Sequence, residues 1–167
     1  MPIKQFVKKN NKWFEKKVKI IGKNNFKLEE VLTNIKKLEK KIGINISLDQ
    51  KIIEFSPLSY KYLNIISNKI KKFDGGLLII DYGYLNKKMK NTLQSIRKHK
   101  FSKILKNIGK SDITYNINFY FLKKLIKKFN LKIGGFTYQK KFLSNLGIMK
   151  RGEILSKNLK FSKKANI

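Results

Sequence analysis

The stretch Asp74-Gly75-Gly76-Leu77-Leu78-Ile79-Ile80-Asp81-Tyr82-Gly83 decides how the rest of this sequence is read. Four consecutive apolar residues between a glycine turn and an acidic turn are the pattern of a strand covered on both faces. The residues before them set up a helix. A short apolar strand, Ile52-Ile53-Glu54-Phe55, runs into Ser56-Pro57, an N-cap followed by proline at the first helical position. Leu58, Tyr62, Ile66, Ile70 and Phe73 then recur at helical spacing as the buried stripe, and Asp74-Gly75-Gly76 ends the helix. Helix, glycine turn, buried strand and acidic turn follow one another in the order of an open α/β sheet, whose ligand crevice lies beyond the carboxyl ends of its strands. Asp81 stands at that crevice, either as a site residue or as an acceptor of backbone hydrogen bonds in the turn before Gly83.

Upstream, Gln5-Phe6-Val7 and Lys12-Trp13-Phe14 through Ile21 flank Asn10-Asn11, a pair that tolerates the positive φ of a tight turn, so a β-hairpin is expected. Its aromatics, Phe6, Trp13 and Phe14, either pack on the core face or stack on bases beside Lys8, Lys9, Lys16 and Lys17. Leu28, Val31, Leu32, Ile35, Leu38 and Ile42 recur every three or four residues, with Glu29 and Glu30 in a first turn and Gly43 beyond the last. An amphipathic helix over 28–42 follows from that spacing. Downstream come the only histidine, His99, flanked by Lys98 and Lys100, and then Ser111 to Tyr115 as a strand end or loop. Asn116 or Asn118 caps a helix carrying Phe121, Leu122, Leu125, Ile126 and Phe129. Leu131 to Tyr138 reads as a strand with a bend at Gly134-Gly135, followed by a short helix closing at Gly147 and another through Ile154, Leu155 and Leu159. The domain layout expected is a single domain over 1–160, with a hairpin and helix insert over about 3–50, a sheet-and-helix part over about 51–155 and a frayed tail at 161–167.

The chain has 167 residues, room for one domain, and 40 Lys+Arg against 10 Asp+Glu give it a net charge of +30. Such a charge points to an anionic partner, yet arginine occurs only at Arg97 and Arg151, and the bidentate fork that reads bases and clamps phosphates is therefore scarce. Lysine, asparagine and isoleucine are over-used together, so compositional bias competes with nucleic-acid binding as the explanation. Hydrophobic residues at 41% and aromatics at 12% supply ample core material. Zero cysteine excludes a disulfide scaffold, a thiolate metal site and a cysteine nucleophile, and suits a reducing, cytoplasmic compartment. No run approaches the roughly 20 apolar residues of a membrane span. One histidine and no cysteine leave no helix-spaced metal ligands. The Gly-x-Ser-x-Gly elbow, the Walker glycine-lysine end and the Gly-x-Gly-x-x-Gly fingerprint are missing as well.

The order of motifs is more telling than any single one. Pro2-Ile3-Lys4-Gln5-Phe6, Glu54-Phe55-Ser56-Pro57, Gly75 through Gly83, Thr92-Leu93-Gln94, Asp112-Ile113-Thr114, and Thr137-Tyr138-Gln139 through Phe142-Leu143-Ser144-Asn145-Leu146-Gly147-Ile148 follow one another along nearly the whole chain. This series resembles the MidA-like family of class I S-adenosylmethionine-dependent methyltransferases, which includes mitochondrial proteins that assist assembly of respiratory complex I and with which protein arginine methylation is associated. The resemblance implies an α/β fold, the C-terminal portion of a Rossmann-like methyltransferase sheet with an inserted β-hairpin and helices. It also implies S-adenosylmethionine as cofactor and a protein substrate.

Family members carry a long N-terminal portion with a Glu-x-Gly-x-Gly-type turn that holds the cofactor, and this chain has no such turn. The resemblance therefore implies the substrate-side part of a methyltransferase, from a split enzyme or a broken gene and inactive without the missing half, which a separate chain could carry. A strand ending at Asp81 without its neighbours would leave an exposed apolar edge. Candidate substrate-side residues are Gln5, Asp81, Tyr82, Gly83, Thr92, His99, Asp112 and Thr114. Asn116 and Asn118 stand where the family tends to have acidic or histidine residues, which removes a proton-handling group from that loop. The competing readings are a lysine-rich nucleic-acid-binding module and an inactive fragment acting only in assembly.

Overall fold

The computed structural model describes residues 2–22 and 25–157. They divide into two units, one ending at Leu131 and one beginning at Lys132. The first unit is built on strands β1 (Lys4–Lys9), β2 (Lys12–Gly22), β3 (Asn25–Thr33) and β4 (Ile52–Phe55), in the sheet order β3-β2-β1-β4 with every pairing antiparallel. The β1–β2 hairpin is the one the Asn10-Asn11 pair calls for: both residues take positive φ, 45° and 58°, and Lys9 faces Lys12 across the turn.

The helix expected over 28–42 is half wrong. Residues 25–33 form β3, and the helix α1 spans only Ile35–Ile42. Cross-strand pairing with β2 overrides the helical spacing: Leu28 faces Val18, Leu32 faces Phe14, and Glu29 and Glu30 sit opposite Lys17 and Lys16. Those glutamates are strand partners rather than a first helical turn. The true N-cap is Asn34, whose side chain accepts from the Lys36 amide at 3.0 Å.

Helix α2 (Pro57–Phe73) starts as read, with the Ser56 hydroxyl accepting from the Ser59 amide at 3.2 Å. Its buried face is rotated from the expected one. Leu63 and Ser67 are buried, whereas Tyr62 and Phe73 are exposed. Ser67 tolerates complete burial because its hydroxyl donates to the Leu63 carbonyl at 2.6 Å. After α2 the expected buried strand is absent: residues 75–81 pair with no strand, and Leu77, Leu78 and Ile80 are exposed. An apolar run becomes a buried strand only where neighbours supply ladder partners and covering faces, and the described residues supply neither.

Short strands follow: β5 (Gly83–Tyr84), β6 (Gln94–Arg97), β7 (Lys100–Ser102), β8 (Asp112–Thr114) and β9 (Ile117–Asn118). β5 pairs with β9 in parallel, and β6 lies between β7 and β8. Helix α3 (Phe119–Lys128) is capped by Asn118, which accepts from the Phe121 amide at 3.0 Å.

Two core clusters hold this unit together. Phe6, Trp13, Ile35, Ile42, Ile46, Ile53 and Phe55 form one, and Leu63, Leu125 and Phe129 form the other, with Tyr60 and Phe121 packed against both. Phe6 and Trp13 are therefore core residues and not base-stacking platforms, which settles the choice left open for them. Tyr60 links the clusters through ring contacts with Phe55 at 6.1 Å and Phe129 at 5.5 Å.

In the second unit, α4 (Gln139–Asn145) and α5 (Ile148–Ser156) are separated by Gly147 at φ 81°, so both expected helices form. Residues 131–138 form no strand, contrary to the expectation for them. Leu159 and the tail expected to fray lie outside the described residues.

Candidate functional site

At the meeting of β1, β4 and the loop before β6 lies a polar network that the sequence motifs only partly announced. Gln5 is buried on β1, where the ladder places it opposite Glu54 of β4. Its side-chain amide donates to Glu54 Oε1 at 2.7 Å and to Asn91 Oδ1 at 2.8 Å. Glu54 Oε1 also accepts from the backbone amides of Thr92 and Leu93 at 2.9 and 3.0 Å, and Glu54 Oε2 accepts a short hydrogen bond from the Thr92 hydroxyl. The Thr92 Oγ1 in turn accepts from the Asn116 amide at 3.0 Å.

One carboxylate thus takes four donors and ties two strands and two loops into a single arrangement. Charge-assisted bonds of this kind are the stronger class, and a carboxylate so fully engaged is suited to holding geometry rather than to abstracting a proton. In the sequence Glu54 belongs to the motif Glu54-Phe55-Ser56-Pro57. The signal that singles it out is a carboxylate inside the apolar strand Ile52-Ile53-Glu54-Phe55, since a half-buried charge there must find partners.

The neighbouring loop continues from this network. Asn116 precedes β9, and the Ile117 amide donates to the Tyr82 carbonyl at 2.9 Å. Gly83 is required at this approach, because a Cβ there would collide with the Ile117 carbonyl and lie 2.5 Å from the Phe119 ring. Asp81 accepts from the Tyr82 amide at 2.7 Å, the turn-stabilising role foreseen as one of its two alternatives, and it is exposed. Tyr82 is 85% exposed. Thr114 Oγ1 accepts from Gln94 Nε2 at 3.2 Å across β6 and β8.

Of the sequence candidates, then, Gln5 and Thr92 meet at Glu54, and Tyr82 and Gly83 join them through Asn116 and Ile117. His99 does not join. It sits exposed at φ 60° beside Lys98 in the β6–β7 turn. Asp112 is exposed on β8 opposite Ile96 and bonds to none of the network residues.

Beside the network, Leu28, Leu93, Ser95, Phe101, Ile104 and Leu105 help line an open hollow of about 520 Å³. The Ser95 hydroxyl is buried and meets no hydrogen-bond partner in the structure. Elsewhere several acidic side chains of this unit pair with lysines. Lys4 reaches Glu15 at 2.8 Å and Lys9 reaches Glu30 at 2.6 Å, and these exposed contacts leave a large lysine excess on the surface. Glu39 differs, being buried. Burial acts to raise its pKa, but hydrogen bonds from Lys36 and from the Ser47 amide and hydroxyl outweigh it and hold the carboxyl below its ordinary value.

Among the described residues no group of three or more His, Cys, Asp or Glu could hold a metal ion, and no helix is long and apolar enough to cross a membrane. The residues present also lack a glycine-rich turn at a helix N-terminus of the kind that cradles a nucleotide-like cofactor.

Comparison with known proteins places the chain among methyltransferases. The chain is 27% identical over 155 residues to the mitochondrial protein arginine methyltransferase NDUFAF7 of Xenopus laevis, covering 93% of this chain and 35% of that protein. It is 30% identical over 103 residues to the Xenopus tropicalis protein of the same name, covering 62% of this chain and 24% of that one. Two crystal structures from Burkholderia thailandensis share the fold. The first superposes with a TM-score of 0.73 at 19% identity, covering 99% of this chain and 46% of its own. The second, solved with S-adenosyl-homocysteine bound, has a TM-score of 0.68 at 18% identity, covering 92% and 41%. The chain thus spans less than half the length of each of these relatives. Residues 1–137 match the family model for S-adenosyl-L-methionine-dependent methyltransferases, and the chain belongs to that family.

Proposed function

We propose that these 167 residues form the substrate-side part of a protein arginine methyltransferase, linked to respiratory complex I assembly, and that the residues gripping S-adenosylmethionine are not among them. The observation that carries this reading is a pairing of presence and absence. The family's Gln5, Glu54 and Thr92 motifs converge on one ordered network, while the chain offers no glycine-rich cofactor turn and covers 35% of the frog methyltransferase. Methyl transfer depends chiefly on aligning the acceptor nitrogen with the sulfonium methyl and on orienting its charge. S-adenosylmethionine supplies the electrophilic methyl group when bound. On this side of the reaction, Glu54 fixes the loop through Asn91–Leu93, and the hollow bordered by Leu93 and Ser95 leaves room for a substrate side chain.

The lysine excess gives only non-specific, salt-sensitive attraction to nucleic acid in this reading, since Trp13 and Phe6 are committed to the core. A reducing, cytoplasmic setting suits a chain without cysteine, although the named relatives are mitochondrial. Calorimetric titration of the isolated chain with S-adenosylmethionine tests the proposal. No saturable heat at micromolar ligand is expected, and micromolar binding would contradict it.

A further inference from the structure

The open hollow beside the Glu54 network has a lining that selects its occupant. Leu28, Leu93, Phe101, Ile104 and Leu105 give it apolar walls, and Leu28 and Phe101 remain 45% and 80% exposed. Its volume of about 520 Å³ lies in the range of small-ligand pockets. One wall is tied to the site already described, because the Leu93 amide donates to Glu54 Oε1 at 3.0 Å. The carboxylate that fixes the loop before β6 therefore also holds the hollow in shape.

The polar part of the lining is sparse and mostly engaged. Gln94 donates its side-chain amide to Thr114 Oγ1 at 3.2 Å, and the Ser102 hydroxyl donates to the Lys103 carbonyl at 3.2 Å. Ser95, opposite Ser102 in the β6–β7 ladder, differs from both: it is 1% exposed, and its hydroxyl is buried with no hydrogen-bond partner. A buried hydroxyl is costly to leave unpaired, so a ligand atom that bonds to it relieves that cost. Lys103 is the one charged residue of the lining, and no carboxylate lines the hollow. A guanidinium would meet apolar walls and a like charge there, which excludes the methyl-accepting arginine as the occupant. A neutral, apolar body ending in a single hydrogen-bonding group answers both the walls and Ser95, and a tyrosine side chain has that form.

We infer that this hollow is a specificity subsite for a tyrosine of the protein substrate, with the tyrosine hydroxyl bonded to Ser95 and its ring covering Leu28 and Phe101. The inference rests on the function proposed above. Its test follows the amide resonances of the full 167-residue chain by NMR during titration with N-acetyl-tyrosinamide, N-acetyl-phenylalaninamide and N-acetyl-alaninamide. Saturable shifts at Leu93–Ser95 and Phe101–Leu105 are expected with the tyrosine probe, roughly fivefold weaker binding with the phenylalanine probe, and none with the alanine probe. Ser95→Ala should bind the tyrosine and phenylalanine probes equally. Phe101→Lys, at an exposed position, should weaken both while keeping the thermal midpoint of the free chain. Shifts confined to other residues, equal binding of the tyrosine and phenylalanine probes, or a tyrosine preference that survives in Ser95→Ala overturns the subsite and leaves the proposed function standing. Micromolar binding of S-adenosylmethionine in a separate titration overturns the proposed function, and with it the assignment of the tyrosine to a methylation substrate.

Discussion

The β1–β4 region and the Leu77–Ile80 segment are built from the same kinds of residue and end in opposite states. In the first, Phe6, Ile53 and Phe55 are buried, and the one carboxylate among them, Glu54, is surrounded by donors from Gln5, Thr92 and Leu93. In the second, an even more apolar run lies exposed with no ladder. Local composition does not separate them. What separates them is whether other parts of the described chain provide a strand on the edge and a surface on each face. Among the described residues the first region has both, and the second has neither.

Substitutions sharpen that contrast in descending order of effect. Ile53 is fully buried, so Ile53→Ala should lower stability by about 3 kcal/mol through lost burial and the cavity left behind, read as a shift in the urea midpoint at unchanged slope. Glu54→Gln removes a charged acceptor from four hydrogen bonds and should cost about 2 kcal/mol. It should also speed amide exchange at Thr92 and Leu93, which a purely packing role would leave untouched.

Acid probes another satisfied carboxylate of the first unit. Glu39 has its pKa lowered in the folded state, so its contribution is present above its unfolded pKa and is lost as pH falls through the folded value. Stability should therefore decline below about pH 4.5, and Glu39→Gln should flatten that part of the profile while lowering stability at neutral pH. The smallest effect belongs to the unpaired region. Leu78→Lys should change the stability of the free chain by no more than about 0.5 kcal/mol, because the side chain it removes is already in solvent. A large loss there would mean that the segment is packed after all.

Much of the chain could be read from sequence where the signal was local. Asn10-Asn11 specified its hairpin turn, Ser56-Pro57 its helix start and Asn118 its cap, because each acts on atoms within a few residues. The ordered motifs were likewise enough to place the family. Reading failed where the outcome depended on distant partners. Leu28–Thr33 has helical spacing but becomes a strand because β2 lies beside it, and Leu77–Ile80 and Leu131–Tyr138 have the composition of strands but no neighbour to pair with. Glu54 was passed over because its importance lies in residues 38 and 49 positions away, Thr92 and Gln5, that no local pattern connects to it. His99, a candidate on a neighbouring loop, lies in a positive-φ turn that bonds to none of the network residues.

The central claim is that one region of this chain is laddered and buried while the other is unpaired and exposed, and native-state hydrogen exchange on the free chain tests it most directly. The account predicts slow exchange in the β1–β4 ladder and at Leu93, which donates to Glu54, together with exchange at Leu78, Ile79 and Ile80 close to that of an unstructured peptide. Protection at residues 78–80 equal to that of the β1–β4 ladder in the free chain would contradict it.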